Sequence, residues 1–477
     1  MCIRDRIEER LGKSIERVFS EDGESAFRQV EERVTLELLA RPGDAVLALG
    51  GGAITHPRVR DALRPHRVAW IDVEIETAWE RVRGGGRPLA TDRAAFLDLY
   101  GQREPLYLEA ADVVLPSSAT DTATIVLDAA AGMPPGTKML WAQSDSGDYP
   151  AYIGAGLLEA RFWPRSVSGR RFLVTDGNVG SRYADQLEPL WSRVAIMPGE
   201  QSKTVAHADV VWGELARRGM TREDVVVALG GGVVGDLAGF CAATYQRGVR
   251  YVQVPTTLVA QVDSAYGGKT GVDLPEAKNY VGAYHQPSAV IADTATLETL
   301  PAAELAAGYA EVVKTALIAG GHLWDAVAGG ADPTSTQIIA ACALTKLRIV
   351  AQDERDGGLR QVLNLGHTVG HAIEAATGYA RYRHGEAVAL GLLAALRLSD
   401  AGTLREEVGR LLEAHGLPTT LDGVDPDQVV MATARDKKRL GEGPVPFVLL
   451  EAPGAARPGC EVSPRALIDA VKELAPR

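Results

Sequence analysis

Residues 225–236 read Val225-Val226-Val227-Ala228-Leu229-Gly230-Gly231-Gly232-Val233-Val234-Gly235-Asp236. Five apolar residues with no polar alternation make a strand buried on both faces, as occurs where helices cover a parallel sheet. The glycines let the backbone turn tightly, and a helix then begins. Such a helix start offers free N–H groups and the positive end of a dipole to an anion such as a pyrophosphate. The run lacks the GxGxxG spacing, and a glycine turn after a strand is also an ordinary connection. It therefore implies a layered α/β architecture and leaves nucleotide binding open.

The same pattern recurs along the chain. Short strands are predicted at Ala45–Leu49, ahead of Gly50-Gly51-Gly52, and at Val68–Asp72, Phe172–Thr175 and Tyr251–Pro255. Amphipathic helices are predicted over Ile7–Phe19, Ala26–Leu39 and Thr77–Arg83. Pro134-Pro135-Gly136 and the run Gln143–Asp148 interrupt the alternation and read as a linker. After Pro301 the periodicity is mainly helical, over 302–319, 336–353, 367–377, 386–401 and 404–415. A chain of 477 residues has room for about three domains. The expected division is an α/β domain at 1–133, a linker at 134–148, an α/β subdomain at 149–300 and an α-helical subdomain at 301–477, the last two flanking a cleft.

Charge excludes two classes of partner. Lys and Arg total 50 against 62 Asp and Glu, a net charge of −12, whereas nucleic acids and anionic membranes require basic surface. No apolar run is long enough to span a bilayer, and the charged start Met1-Cys2-Ile3-Arg4-Asp5-Arg6 is unlike a signal peptide. The four cysteines, with no CxxC spacing, suit a reducing compartment. A cytoplasmic protein is expected, one that binds anions through local clusters of cations.

Two such groupings carry chemistry. Three of the nine histidines, His367, His371 and His384, fall within 18 positions. His367 and His371 share a helix face at i, i+4, and Glu311 and Lys314 share another at i, i+3. Two imidazoles and a carboxylate are the donor set of an open catalytic zinc site. The competing reading is that these histidines cap or pack helices. Lys269, Lys278, Lys314, Lys346, Arg247 and Arg360 are the second grouping. Each lies beside glycine, asparagine or apolar residues and not in a charge run, as a site for a small polyanion needs. Each alone also fits a surface cation, and Lys437 and Lys438 read as ordinary surface charge. Gly267-Gly268-Lys269-Thr270 lacks the first glycine of a P-loop.

Taken together, Pro198–Lys203, Gly230–Asp236, Gln246–Tyr251, Pro255–Leu258, Gln261–Asn279, Glu311–Lys314, Leu363–Glu374 and His384–Glu386 resemble the 3-dehydroquinate synthase family, over about residues 149–477. The resemblance implies a Rossmann-like NAD+-binding subdomain followed by a mainly α-helical metal- and substrate-binding one. It implies a divalent metal, Zn2+ or Co2+, on Glu311, His367 and His384, which leaves His371 facing the substrate phosphate. NAD+ contacts are implied for Asp176, Glu200, Lys203, Gly232, Val233, Val234, Gly235, Asp236, Thr256, Thr257, Lys269, Lys278, Thr296, Leu297, Glu298 and Thr299. Substrate contacts are implied for Asp263, Lys269, Lys278, Asn279, Lys314, Lys346, Arg360, Asn364, His371, Arg247 and one of Lys437 and Lys438. A homodimer is implied as well, with Arg247 reaching the partner's site.

The family's reaction converts 3-deoxy-D-arabino-heptulosonate 7-phosphate to 3-dehydroquinate and phosphate. Hydride leaves C5 for NAD+, the new ketone acidifies C6–H, phosphate departs and the hydride returns. Ring opening and an internal aldol step then close the carbocycle. A polyol dehydrogenase with a similar architecture would have no use for Lys269, Lys278, Lys314 and Arg360 together. A sister sugar-phosphate cyclase would differ at the phosphate and carboxylate contacts, and a non-catalytic scaffold would not keep the whole set.

The N-terminal region resembles shikimate kinase through Gly23-Glu24, Phe27-Arg28, Glu31, Gly50-Gly51-Gly52, Arg87-Pro88-Leu89 and Arg103–Tyr107. The resemblance implies shikimate binding by Arg28, Gly51, Gly52 and Arg103, with Arg87 in the lid. The family's opening strand and GxxxxGK[ST] loop are absent from the sequence, and the lid at Arg83-Gly84-Gly85-Gly86 is short. A truncated domain without kinase activity is expected, since nothing here cradles the β-phosphate.

Overall fold

The computed structural model describes residues 3–83, 92–433 and 445–476. Two compact units divide at Val126 and Leu127. Arg87, Lys437 and Lys438, and most of the short lid, lie outside the described residues.

In the first unit, two parallel strands, β1 (Ala69–Asp72) and β2 (Val113–Pro116), accompany helices at Ile3–Leu11, Ile15–Glu21, Gly23–Leu39, Pro57–Leu63, Ile75–Val82 and Arg93–Ala110. The single helix predicted over Ile7–Phe19 is two. Gly12 turns left-handed at φ 67°, and Ser14 caps a new start by accepting from Arg17 N, which satisfies an otherwise unpaired donor. No strand forms at Ala45–Leu49. Ala48 O accepts a bond from Ile3 N, and Val46 is 86% exposed, unlike the buried strand the run suggested.

The second unit holds a sheet ordered β3-β4-β11-β8-β7-β5-β6. Its strands are β3 (Lys138–Ala142), β4 (Tyr149–Gly154), β5 (Arg171–Asp176), β6 (Ser192–Ile196), β7 (Val225–Gly230), β8 (Arg250–Pro255) and β11 (Ala289–Asp293). All pair in parallel except β3 with β4. The stretch read as a linker, 134–148, is thus corrected: β3 and the turn after it form a hairpin with β4. Ser144 and Asp148 close that turn, where Ser144 Oγ donates to Gly147 O. Prolines and polar turn residues mark hairpins as readily as linkers.

Every residue of β7 is buried. Phe172, Val174, Val226, Ala228, Leu237, Cys241 and Val272 belong to the core cluster between the sheet and its helices. Two hairpins lie outside the sheet, β9 (Lys269–Leu274) with β10 (Ala277–Tyr284), and β12 (Phe447–Leu450) with β13 (Ala456–Cys460). Beyond Pro301 the major helices are Ala302–Ala319, Gly321–Ala328, Thr336–Gln352, His367–Ala376, His384–Leu398 and Gly402–Ala414. Among the described residues no helix is long and apolar enough to cross a membrane.

Candidate active site

Glu311 lies in the middle of the Ala302–Ala319 helix, from Ala307 to Ile318 buried on all sides. His367 and His384 are each the first residue of a helix. Gly366, left-handed at φ 78°, ends the turn before His367. Glu386 accepts from Arg383 N and so fixes the helix start at His384.

The helices approach closely enough to exclude side chains. A Cβ on Gly385 would lie 1.9 Å from Ala307 O, and one on Gly391 would lie 2.0 Å from Gly366 O. As a result, Glu311 Oε1 sits 3.6 Å from His367 Nε2 and 3.4 Å from His384 Nε2. Glu311, His367 and His384 each offer a ligand atom, and these atoms lie within 4.8 Å of one another.

Several features suit a divalent cation. Donors about 2.1 Å from one tetrahedral ion stand about 3.4 Å apart, close to the spacing of Glu311 Oε1 from each imidazole. The carboxylate of Glu311 is buried, with Oε1 facing the two imidazoles and Oε2 paired with a lysine. His367 Nδ1 lies 3.2 Å from Leu365 O, which would orient the ring with Nε2 toward the ion. Burial opposes a charge on His384, yet Glu311 and Glu374 raise its imidazole to about 10. A field that holds a proton there also favours a cation. His371 stands beside the triad, its ring centroid 5.3 Å from that of His367 and 6.0 Å from that of His384.

A chain of charges leads away from Glu311. Lys314, 1% exposed, places Nζ 2.5 Å from Glu311 Oε2 and 2.6 Å from Asp263 Oδ2. Asp263 sits on a π-helical turn, Ala260–Ser264, a distortion frequent at functional sites. Lys346 Nζ reaches Asp263 O at 2.6 Å and also contacts its carboxylate. Burial opposes both charges of the Lys314–Asp263 pair, but each partner holds the other ionised. At Lys346 burial prevails and pushes the amine down to about 8, with Arg360 and Lys314 adding to the fall against Asp263.

Arg360, 1% exposed, donates to Gly267 O at 2.9 Å and to Glu354 O, and its Nε has no partner among the described residues. Asn364 ends the same 3-10 turn, half-buried. Lys269 opens β9 and meets Asp356 at 2.5 Å with half its side chain exposed. Lys278 and Asn279 lie on β10, where Asn279, left-handed at φ 56°, accepts from Lys203 Nζ at 2.6 Å. Arg247 is exposed at a turn, with φ 66°.

The residues implied for the dinucleotide gather mostly at the C-terminal ends of β5, β7, β8 and β11, where open parallel sheets bind ligands. Asp176 caps the helix after β5, accepting from Asn178 N and Val179 N. Gly232, Val233, Val234, Gly235 and Asp236 form the first turn of the Gly232–Thr244 helix after β7, and Asp236 lies 2.5 Å from Lys203. A Cβ on Gly231 would stand 2.9 Å from Thr257 Cγ2, so the turn has to be bare there. Thr256 follows β8, and its buried hydroxyl has no hydrogen-bond partner among the described residues. This bare turn, helix start and unpaired hydroxyl suit a pyrophosphate.

The group beyond β11 is less uniform. Leu297 is buried, and Thr296 Oγ1 is bonded to Asp293 O and Gln261 Nε2. Glu298 and Thr299 are exposed, with Thr299 hydroxyl 2.6 Å from Tyr183 hydroxyl. Glu200 stands 3.5 Å from Lys278.

Sequence reasoning assigned nothing to Glu354, Asp356 or Glu374. Glu354 accepts from Ser146 N and Gln286 Nε2, and Glu374 lies between His384 and Lys278. Their partners are remote in sequence or belong to other elements, so spacing carries no signal for them.

In unit 1, Arg28 and Glu31 form an ion pair at 2.5 Å, and Tyr107 donates to Gly51 O at 2.6 Å. Arg103 is close to Gly51 and Tyr107.

Comparison with known proteins bears on both units. Residues 193–307 match the model of the 3-dehydroquinate synthase N-terminal region, 308–439 that of the C-terminal region, and 4–131 that of shikimate kinase. A 3-dehydroquinate synthase of Symbiobacterium thermophilum is 45% identical over 348 residues, covering 67% of this chain and 96% of the relative. That of Halorhodospira halophila is 44% identical, covering 70% and 98%. Among solved structures, 2-epi-5-epi-valiolone synthase from Streptomyces hygroscopicus with NAD+ and Zn2+ bound has TM-score 0.63 and 27% identity, covering 68% of this chain and 96% of that one. A 2-deoxy-scyllo-inosose synthase complexed with carbaglucose-6-phosphate, NAD+ and Co2+ has TM-score 0.62 and 25% identity, covering 70% and 99%. By sequence identity, coverage and fold, this chain belongs to the 3-dehydroquinate synthase family and carries a shikimate kinase domain at residues 4–131.

Proposed function

We propose that the chain converts 3-deoxy-D-arabino-heptulosonate 7-phosphate to 3-dehydroquinate and phosphate, with NAD+ held by residues 149–300 and a divalent metal by residues 301–477. The observation that carries this reading is the joining of the Glu311–His367–His384 donor set to the Lys314–Asp263–Lys346 charge chain through one 2.5 Å contact. When bound at Glu311, His367 and His384, Zn2+ or Co2+ would supply Lewis acidity to substrate hydroxyls, and a bound NAD+ would supply a reversible hydride acceptor.

The chain's own residues do the rest. Lys314 and Lys346 keep Asp263 ionised and hold one end of the anion in a nearly dry site, where each charge acts strongly. Lys269, Arg360 and His371 take the other charged groups of the substrate, so that one bound pose serves several steps. Asn279 and Asn364 orient hydroxyls, and Lys278 bridges the dinucleotide side and the substrate. Either Lys437 or Lys438 adds a further cation, and a homodimer brings Arg247 to the neighbouring site. Asp176, Glu200, Lys203, Thr256 and the Gly232–Asp236 turn position the dinucleotide, joined by backbone groups of the Thr296–Thr299 turn. The substrate phosphate itself takes the C6 proton, since no dedicated base is required of the cluster.

The test is phosphate release from the heptulosonate phosphate with NAD+, before and after chelation. Release that stops on chelation and returns with Zn2+ or Co2+ supports the reading, and release indifferent to chelator overturns it. For the N-terminal domain, these 477 residues contain no GxxxxGK[ST] loop. We propose that this chain does not phosphorylate shikimate, and turnover with ATP and shikimate would refute that.

A further inference from the structure

Glu374 is a buried carboxylate to which the reading above gives no task. It lies in the last turn and a half of the His367–Ala376 helix, with its side chain 4% exposed. Its two oxygens face different partners. Oε2 lies 3.5 Å from Nδ1 of His384, whose other nitrogen, Nε2, faces Glu311. Oε1 lies 3.4 Å from Nζ of Lys278 on β10. The Lys278 ammonium in turn lies 4.4 Å from the centre of the Tyr379 ring, and Tyr379 is held left-handed at φ 58°, a strained conformation for a bulky residue.

An imidazole that binds an ion through one nitrogen is oriented by whatever its other nitrogen faces. Buried between His384 on one oxygen and Lys278 on the other, the Glu374 carboxylate is shared by the two. We propose that Glu374 is a positioning residue that orients His384 for the ion and, with its other oxygen, fixes Lys278. Ion binding among the helices is thereby coupled to anion binding at the β9–β10 hairpin. This rests on the metal reading above and adds a residue and a coupling to it.

The experiment uses the full chain loaded with Zn2+ and titrated with a competing chelator. Glu374→Gln is expected to weaken ion affinity by about ten- to a hundredfold. If the parent retains no Zn2+, the metal reading fails. If the parent retains it and E374Q holds it equally well, this inference alone fails. Should E374Q not fold, Glu374→Asp serves in its place: the carboxylate is drawn back by one methylene, and an unchanged affinity overturns the proposal. The second readout is the KM for the sugar phosphate. It should rise in both E374Q and Lys278→Met, and in the double variant by less than the two increases combined, because both changes break the shared Glu374–Lys278 contact. Fully additive increases would show that Glu374 does not act through Lys278.

Discussion

Lys314 Nζ lies 2.6 Å from Asp263 Oδ2 across 51 residues of sequence, both side chains turned into the same nearly dry space. Removing one member of a buried pair leaves the other uncompensated, at about 3–5 kcal/mol. Lys314→Met should therefore lower stability in urea unfolding by about that amount and reduce phosphate release by more than about a hundredfold. A variant with parental turnover would remove Lys314 from the substrate site.

Lys269 offers a contrasting case, since half its side chain is exposed and its partner is Asp356. Its removal should leave the fold intact, because exposed pairs contribute about 0–1 kcal/mol. Lys269→Ala should still reduce turnover by about a hundredfold or more, as the substrate covers the site and desolvates the contact. Steady-state phosphate release with a thermal melt on the same sample checks both halves.

Lys346 should give the proposed reaction a pH dependence. Burial, with Arg360 and Lys314 near it, brings the amine down to about 8 in spite of Asp263. The cationic form is present below that value and is lost as pH rises through it. Substrate affinity should accordingly fall above about pH 8, and Lys346→Arg, which stays charged, should remove that limb from the profile of kcat/KM. A limb that persists unchanged in the variant belongs to another group.

Asp224 anchors the start of β7. It accepts from Arg170 Nη2 at 2.7 Å and Nε at 2.9 Å, and from Thr221 N at 2.7 Å, with its side chain 5% exposed. Arg170 and Thr221 hold its carboxyl well below the usual range. That stabilisation is present above about pH 4, where an unfolded Asp ionises, and is lost as pH falls toward the lowered native value. Asp224→Asn should cost about 2–3 kcal/mol near neutrality, measured by urea unfolding, and the gap to the parent should narrow in acid.

The sequence was legible where a pattern is local. The strand and glycine turn at 225–236 folds as read, because burial on both faces and a backbone that must come close each leave a mark in consecutive residues. The Ala302–Ala319 helix likewise has the predicted ends. The 138–154 hairpin was not legible, since Pro134, Pro135 and Gly136 punctuate both linkers and turns, and only the pairing of Lys138 with Ile153 decides between them. Glu354 was hidden for a different reason. Its partner Ser146 lies 208 residues away, and nothing near either residue announces the other. Lys314 could be picked out as a cation among apolar neighbours, but its sharing by Glu311 and Asp263 could not.

The bare contacts at Gly385 and Gly391 place the donor spacing under main-chain control. Two helix backbones in touch behave like a fixed jaw, whose opening does not depend on how neighbouring side chains shuffle. Adding even one methyl at Gly385 would wedge that jaw apart from behind Ala307, so the most damaging lesion to an ion seat of this design need not alter any atom that touches the ion.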